Sequence, residues 1–343
     1  MRVLVGMSGG VDSTYAAYKL RDEGHEVCGA VLVMHDYTEI DAAEASCRAL
    51  EIPLYIINCR ERFENIVVSD FINEYRRGRT PNPCIICNSE VKFECLLDFA
   101  LQNGFDAIAT GHYAEVRRVQ TPSGDRYCIC DCADGRKNQT YMLWRLSQRV
   151  LSHLILPLAD MTKEEVRDRT RELNLLSWDR ADSQEICFIP DNDHANFIES
   201  RIGKCEEGDF VDEEGRVLGR HRGIIGYTVG QRKGLGIALG ARAFISSIDP
   251  QTNKITLSFN VGERTDFKVK GVIFSGIEPP EDSIEYELTV KYRYQSPRIP
   301  ARVTFHPDGT AEVHLSAPAR SLTSGQSAVF YSGECLVAGG FID

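Results

Sequence analysis

Through the first half of the chain, short apolar blocks alternate with stretches whose apolar residues recur at helical spacing. Val3 to Gly6, Val27 to Met34, Leu54 to Asn58 and Ala107 to Thr110 read as strands. Between them, Thr38 to Glu51, Phe63 to Tyr75 and Ser89 to Gln102 read as helices, with Thr38 as an N-cap and acids in the first turns. Strict alternation of this kind predicts an α/β fold, a doubly wound parallel sheet with helices on both faces. Thr162 and Glu165 have capping-box spacing and open a further helix running to about Leu173.

Beyond about Asn196 the helical period fades. Val211 to Leu218, Ala243 to Ile248 and Ile255 to Phe259 read as strands of a small middle domain. Tyr286–Tyr294, Arg302–Phe305, Glu312–Leu315 and Ala328–Tyr331, with turns at Pro307-Asp308-Gly309 and Tyr331-Ser332-Gly333, suggest a C-terminal β-barrel. The expected division is therefore 1–196, 197–264 and 265–343.

Length and composition fit this picture: 343 residues, 43% hydrophobic and 26% charged, suit a globular chain of two or three domains. No apolar run approaches a membrane span, and Met1 leads straight into the first strand, so neither a membrane role nor a signal peptide is expected. Twelve cysteines without a secretory start argue against a disulfide scaffold and for a reducing, cytoplasmic setting. The net charge of −11 excludes a uniformly basic nucleic-acid binder. Even so, Gly215 to Ile248 and Leu288 to Pro307 carry basic residues and no acid, a pattern shared by RNA-binding faces and by ordinary solvated ones.

Candidate chemistry starts at the first turn. Gly6-Met7-Ser8-Gly9-Gly10-Val11-Asp12-Ser13 follows a strand and opens a helix, the arrangement that presents backbone N–H groups to a phosphate. Asp12 would repel a bare phosphate, which points to an intervening Mg²⁺. The stretch resembles the PP-loop of ATP pyrophosphatases, enzymes that split ATP into AMP and pyrophosphate. Downstream, Pro81 and Pro83 exclude a helix and make Arg76 to Cys87 a stiff loop delivering Cys84 and Cys87 to a helix start, where a thiol pKa is lowered. Cys84-x-x-Cys87 alone reads as a redox pair, half a metal site, or coincidence. Cys128, Cys130 and Cys132 alternate on one strand face as buried, inert thiols, and Cys28, Cys47, Cys59, Cys95, Cys205 and Cys335 are assigned to packing.

A family resemblance becomes specific when the motifs are taken together. The glycine-rich turn is followed in order by Gly78-Arg79-Thr80-Pro81-Asn82-Pro83-Cys84-Ile85-Ile86-Cys87-Asn88, Thr110-Gly111-His112-Tyr113 and Asp182-Ser183-Gln184-Glu185-Ile186-Cys187-Phe188-Ile189. Gly226-Tyr227-Thr228-Val229-Gly230-Gln231-Arg232-Lys233-Gly234-Leu235-Gly236 and Arg293-Tyr294 complete the series. Nearly the whole chain thus resembles bacterial tRNA-specific 2-thiouridylases, the MnmA family.

That resemblance implies ATP-dependent sulfur transfer to C2 of the wobble uridine of tRNA through an adenylated intermediate. Cys187 would carry sulfur as a persulfide and Cys87 would release it, leaving a Cys87–Cys187 disulfide. ATP would be held by Gly6 to Ser13, Met34 and Gly111. Asn82, Pro83, Cys84, His112, Lys137, Asn138, Gln139, Arg293, Tyr294 and Gln326 would meet tRNA, with Asn138 departing from the usual Asp. A cysteine desulfurase or sulfur-relay protein would donate the sulfur. Many relatives carry Asp, cast as a general acid or base, where this chain has Cys84. That departure raises a further reading, in which Cys84, Cys87 and Cys187 ligate a [4Fe–4S] cluster. Two rivals remain at this level: a PP-loop ligase admitting ammonia, which has no use for Cys87 and Cys187, and an RNA-binding sulfur carrier, which leaves the ATP loop unexplained.

Overall fold

The computed structural model describes residues 1–175, 186–237, 239–240, 242–260, 262–320 and 322–343. Strands β1 (Arg2–Gly6), β2 (Glu26–Val33), β3 (Leu54–Asn58) and β4 (Ala107–Ala109) alternate with helices as expected. They are followed by a hairpin, β5 (Glu115–Thr121) and β6 (Gly124–Cys130), and then by the short β7 (Leu154–Ile155). The first sheet is parallel in the order β3-β2-β1-β4-β7. Because helices cover it on both faces, β2 is apolar and buried along almost its whole length.

Thr38 does not cap its helix, which spans Ile40–Ala49 behind Glu39. Its hydroxyl instead donates to the His35 carbonyl at 2.9 Å, closing the turn that leaves β2. Pro83 also departs from expectation. With Asn82 as N-cap it is the first residue of a helix, a position where the missing N–H is no loss. One continuous helical run follows, Pro83–Ile86, a π-helical turn Cys87–Lys92, and Phe93–Gln102. The Thr162–Glu165 capping box is present.

The middle unit is a four-stranded sheet, β10-β11-β8-β9, made of β8 (Gly208–Val211), β9 (Val217–His221), β10 (Phe244–Asp249) and β11 (Lys254–Ser258). Residues 211–218 are not one strand: the Asp212 carboxylate accepts the N–H groups of Glu214 and Arg216 and folds the segment into a turn. The C-terminal unit comprises β12 (Glu263–Phe274), β13 (Ile284–Lys291), β14 (Ile299–Phe305), β15 (Ala311–Arg320), β16 (Ser327–Ser332) and β17 (Cys335–Ile342). Pairing of β12 with both β15 and β17 closes it into a barrel.

The hairpin β5–β6 joins this barrel's sheet through β17. It draws the barrel and the parallel sheet over one core, in which Ile108, Tyr141, Trp144, Val329, Tyr331 and Leu336 are buried together. Trp144 donates its ring N–H to the Ser327 hydroxyl at 3.0 Å. Gly339 is required there, because a Cβ would stand 2.6 Å from the indole.

Here the structure corrects the reading of two cysteines. Strand β6 ends at Cys130, and Cys130 and Cys335 form a disulfide rather than serving as inert thiols. They are direct partners across the β6–β17 pairing, which no sequence spacing reveals.

Candidate functional site

The glycine-rich turn is held open by its own side chains. The Ser8 N–H donates to the Ser13 hydroxyl at 3.2 Å, Ser13 donates to the Gly10 carbonyl at 3.2 Å, and Thr14 donates to the same carbonyl at 2.8 Å. Gly9 takes φ +73° against Ala42, a conformation and an approach that exclude a side chain. Gly111 closes the other wall, since a Cβ there would lie 2.6 Å from the Asp12 carbonyl carbon. Met7 and Val11 face the core, so the ligand-facing part of the turn is its backbone and hydroxyls.

Asp12 has protein partners that the sequence reading missed. Both carboxylate oxygens accept from the Lys163 ammonium at 2.7 Å, and Oδ1 also accepts from the Tyr113 hydroxyl at 2.8 Å. Lys163 is 7% exposed and is the first residue of the helix Lys163–Glu172. Its backbone N–H donates to Asp134 at 3.0 Å. Against the desolvation that raises it, the N–H groups of Lys163, Lys137 and Arg136 hold the Asp134 carboxyl below its ordinary range. The only sequence signal for Lys163 was its place inside the capping box.

The thiols gather where the first sheet ends. Phe188 and Ile189, directly after Cys187, are buried in the cluster that contains Cys87, Phe63, Phe71 and Val91 and packs against Met34. Phe188 sets its ring edgewise on Phe63, Phe71 and Phe197 at centroid distances of 5.4, 5.5 and 5.4 Å. This anchors the arm that bears Cys187, although 182–185 of the same motif lie outside the described residues. The Cys87 thiol is 3.7 Å from the Met34 sulfur.

Burial pushes Cys87 up to about 12, opposed by the Lys92 ammonium and reinforced by the sulfurs of Cys187, Cys84 and Cys95. Cys84 and Cys187 are raised as well, chiefly by desolvation, although both are solvent-accessible. The expectation of thiols lowered by a helix N-terminus therefore fails. The helix is present, but desolvation is the largest influence on the thiols of its first turns and raises them.

The loop carrying these thiols is gripped from two sides. Gly78 abuts Ile248 of the middle unit, where a Cβ would come within 2.9 Å of that side chain. From the barrel, the Ser324 carbonyl accepts the Thr80 N–H at 3.0 Å and Gln326 donates to the Thr80 carbonyl at 2.7 Å.

The remaining expected contacts are spread around this rim, and several side chains already have internal work. Asn82 accepts the Cys84 N–H at 3.2 Å, and Pro83 is buried. His112 hydrogen-bonds Thr110 at 2.8 Å and is driven by burial down to about 3, so it is neutral at physiological pH. Asn138 donates to Asp131 at 2.5 Å and accepts from Thr140, while Gln139 accepts the Tyr113 N–H at 2.8 Å. Arg293 donates to Thr323 at 2.9 Å, and Tyr294 packs against the shared core with Lys291 5.4 Å above its ring.

The two basic stretches are partly neutralised from outside. Arg216 pairs with Asp212, Arg220 with Asp209, and Arg298 with Asp131. Arg232 and Arg242 instead line a cavity of about 620 Å³ in the middle unit, together with Gly234 and Gly236.

Three family models cover the chain: the tRNA methyl transferase HUP domain over residues 1–191, the tRNA methyl transferase PRC-barrel domain over 195–259, and the aminomethyltransferase beta-barrel domain over 264–342. A tRNA-specific 2-thiouridylase MnmA of Lachnoclostridium phytofermentans is 42% identical, covering 99% of both chains. One from Clostridium botulinum (strain Alaska E43 / Type E3) is 40% identical, covering 100% of this chain and 98% of the relative. Among solved structures, a 4-thiouridine synthetase in an RNA complex with bound ATP is similar at 18% identity and a TM-score of 0.35, over 52% of this chain and 42% of the other.

Proposed function

The chain belongs to the tRNA-specific 2-thiouridylase family, and from that premise we propose that it activates C2 of a tRNA uridine with ATP and replaces its oxygen with sulfur carried on Cys187. It is a tRNA sulfurtransferase, and ATP-dependent thiolation is its reaction. The observation carrying the detailed reading is the burial of Phe188 and Cys87 in one cluster beside Met34, which ties both thiols to the sheet end that bears the nucleotide turn.

The C2 carbonyl oxygen attacks the α-phosphate of ATP, expelling pyrophosphate and turning that oxygen into a leaving group. Backbone N–H groups at the helix start and the Ser8 hydroxyl would receive the phosphates, the Ser8 N–H and Ser13 hydroxyl giving up their internal bonds to join them. The oxygen donors Asp12, Ser8 and Ser13 suit Mg²⁺, which would neutralise phosphate charge when bound. Lys163 already answers the charge of Asp12.

The terminal sulfur of a Cys187 persulfide then attacks C2, and AMP leaves. The Cys87 thiolate attacks the Cys187 sulfur, and the broken S–S bond leaves its electron pair on the sulfur attached to C2. The carried sulfur is thereby reduced, Cys87 and Cys187 are oxidised to a disulfide, and a cellular thiol must reduce that disulfide before the next turnover. Cys84, accessible beside both, would pass protons at the base. A cysteine desulfurase or sulfur-relay protein would load Cys187, which is exposed to receive it. Asn82, Pro83, His112, Lys137, Asn138, Gln139, Arg293, Tyr294 and Gln326 would form the surrounding tRNA rim.

A second reading is favoured by that exposure of Cys84: three soft thiolate donors, Cys84, Cys87 and Cys187, suit a [4Fe–4S] cluster that would present sulfide. Iron assay after anaerobic purification separates the two, since full activity without iron excludes the cluster. Pyrophosphate release from ATP tests the common step. Release that depends on unmodified tRNA is expected, and equal release without tRNA would overturn the assignment.

A further inference from the structure

Two thiols that the sequence assigns to packing meet behind the cluster that holds Cys87. Cys59 directly follows β3 as the N-cap of the short helix Arg60–Phe63. Cys95 lies in the first turn of Phe93–Gln102, the last stretch of the helical run that carries Cys84 and Cys87. The two sulfurs are hydrogen-bonded to each other, and the Arg62 guanidinium also hydrogen-bonds Cys95. Cys59 is 3% exposed, whereas Cys95 is only partly covered, so an interior thiol backs a sulfur that solvent reaches. The charged groups acting on that sulfur are Arg62, from the short helix, and Asp98, further along the helix of Cys95. The Asp98 carboxylate is itself paired with Arg62 at 3.6 Å and with Arg149 at 2.6 Å. The Cys59 hydrogen bond, aided by Arg62 and opposed by desolvation, lowers the Cys95 thiol to about 7. Every other shifted thiol among the described residues is raised, Cys84, Cys87 and Cys187 included.

We propose that Cys59 and Cys95 form a peroxide-reactive dithiol, a modification site in which the partly exposed Cys95 takes the oxidant and Cys59 closes it as a disulfide. The Cys95 thiolate attacks one oxygen of hydrogen peroxide and becomes a sulfenic acid. The O–O bond breaks, its electron pair leaves on hydroxide, and solvent at this half-open position protonates that hydroxide. The Cys59 sulfur, already in contact, then attacks the Cys95 sulfur. The S–O bond breaks, and the departing hydroxide takes the Cys59 proton and leaves as water, so the buried thiol needs no solvent of its own. Peroxide is thus reduced to water while two thiols are oxidised to one disulfide, which a dithiol reductant reverses. Because the two residues come from separate elements, the linkage closes no strand on itself; it ties the end of β3 to the helical run bearing Cys84 and Cys87. The centre uses neither Cys87 nor Cys187 and stands apart from the thiolation scheme.

The test uses the full chain, reduced, freed of reductant and treated with about one equivalent of hydrogen peroxide, then alkylated and digested with trypsin without reduction. Cleavage after Arg48, Arg60 and Lys92 places Cys59 and Cys95 in peptides that hold no other cysteine, so their linkage is read by its own mass. The wild-type chain is expected to give the Cys59–Cys95 peptide while Cys84 and Cys187 are still free. In Cys59→Ser that peptide disappears, and Cys95 is captured by dimedone as the sulfenic acid. Arg62→Gln should slow Cys95 oxidation about threefold at pH 7 and match the wild type at pH 9, a recovery that a structural lesion would not give. If either variant folds poorly, the wild-type chain decides alone: alkylation of Cys95 should level off above about pH 8, where an ordinary thiol is still gaining. A Cys95 that stays free while Cys84 or Cys187 is consumed, a Cys95 linked to a cysteine other than Cys59, or an alkylation rate still climbing about tenfold per pH unit above pH 8 would each overturn the proposal.

Discussion

The Cys87 thiol points at the Met34 thioether, sulfur to sulfur at 3.7 Å, so the residue closing the end of β2 also shields the proposed sulfur-releasing group. Shortening that side chain should open a path to Cys87. Met34→Ala is expected to raise alkylation of Cys87 in the folded chain several-fold, whereas Met34→Leu, which keeps the volume, should leave it near the wild-type rate. Peptide mass spectrometry after timed iodoacetamide exposure reads the difference.

On the proposed mechanism Cys87 acts as a thiolate, yet burial holds it at about 12. Raising the pH should therefore increase the single-turnover rate of thiolation by about tenfold per unit between pH 7 and 9, because the protonated form dominates throughout. Lys92 pulls the same group down. Lys92→Gln should slow thiolation at pH 7.5 and recover toward the wild-type rate at pH 9, a rescue that a purely structural lesion would not show.

Lys163 and Asp12 form an ion pair with only 9% of the lysine side chain and 31% of the carboxylate exposed. Removing one partner leaves the other charge partly buried, so Lys163→Met should cost about 2–3 kcal/mol in urea unfolding. Asp12→Asn combined with Lys163→Met should recover much of that stability while remaining unable to release pyrophosphate.

Phe188→Ala removes three edgewise ring contacts from a core residue that is 5% exposed. The expected loss is about 3 kcal/mol where the whole core feels it. The more specific outcome is slower formation of the Cys87–Cys187 disulfide under mild oxidation, since the arm bearing Cys187 would no longer be held against Cys87. Quantifying that linked peptide checks it.

What the sequence disclosed was local. The strand Leu54–Asn58, the capping box at Thr162 and the Ser8-Gly9-Gly10 turn were readable because each is determined by neighbours a few positions away. The motif order across the chain identified the family, and so the three-layered plan of sheet, middle unit and barrel. What escaped depended on distant partners. Cys130 and Cys335 are 205 positions apart and meet only because β17 continues into the hairpin. The direction of the Cys87 shift was misjudged because Cys87 is buried in a cluster with Phe63, Phe71 and Phe188, residues distant in sequence from the helix start. Lys163 gave no sequence signal beyond its place in the capping box, because its partner Asp12 lies 151 positions away.

The clasp on Thr80 has a bearing on how the molecule is born. Ser324 and Gln326, which hold that loop, are translated some two hundred and forty residues after it. While the chain is still on the ribosome, the parallel sheet and its nucleotide turn can assemble, but the segment presenting Cys84 and Cys87 lacks its outer brace. If those thiols act as proposed, the segment is expected to gain its full brace only once residues 324–326 have been made.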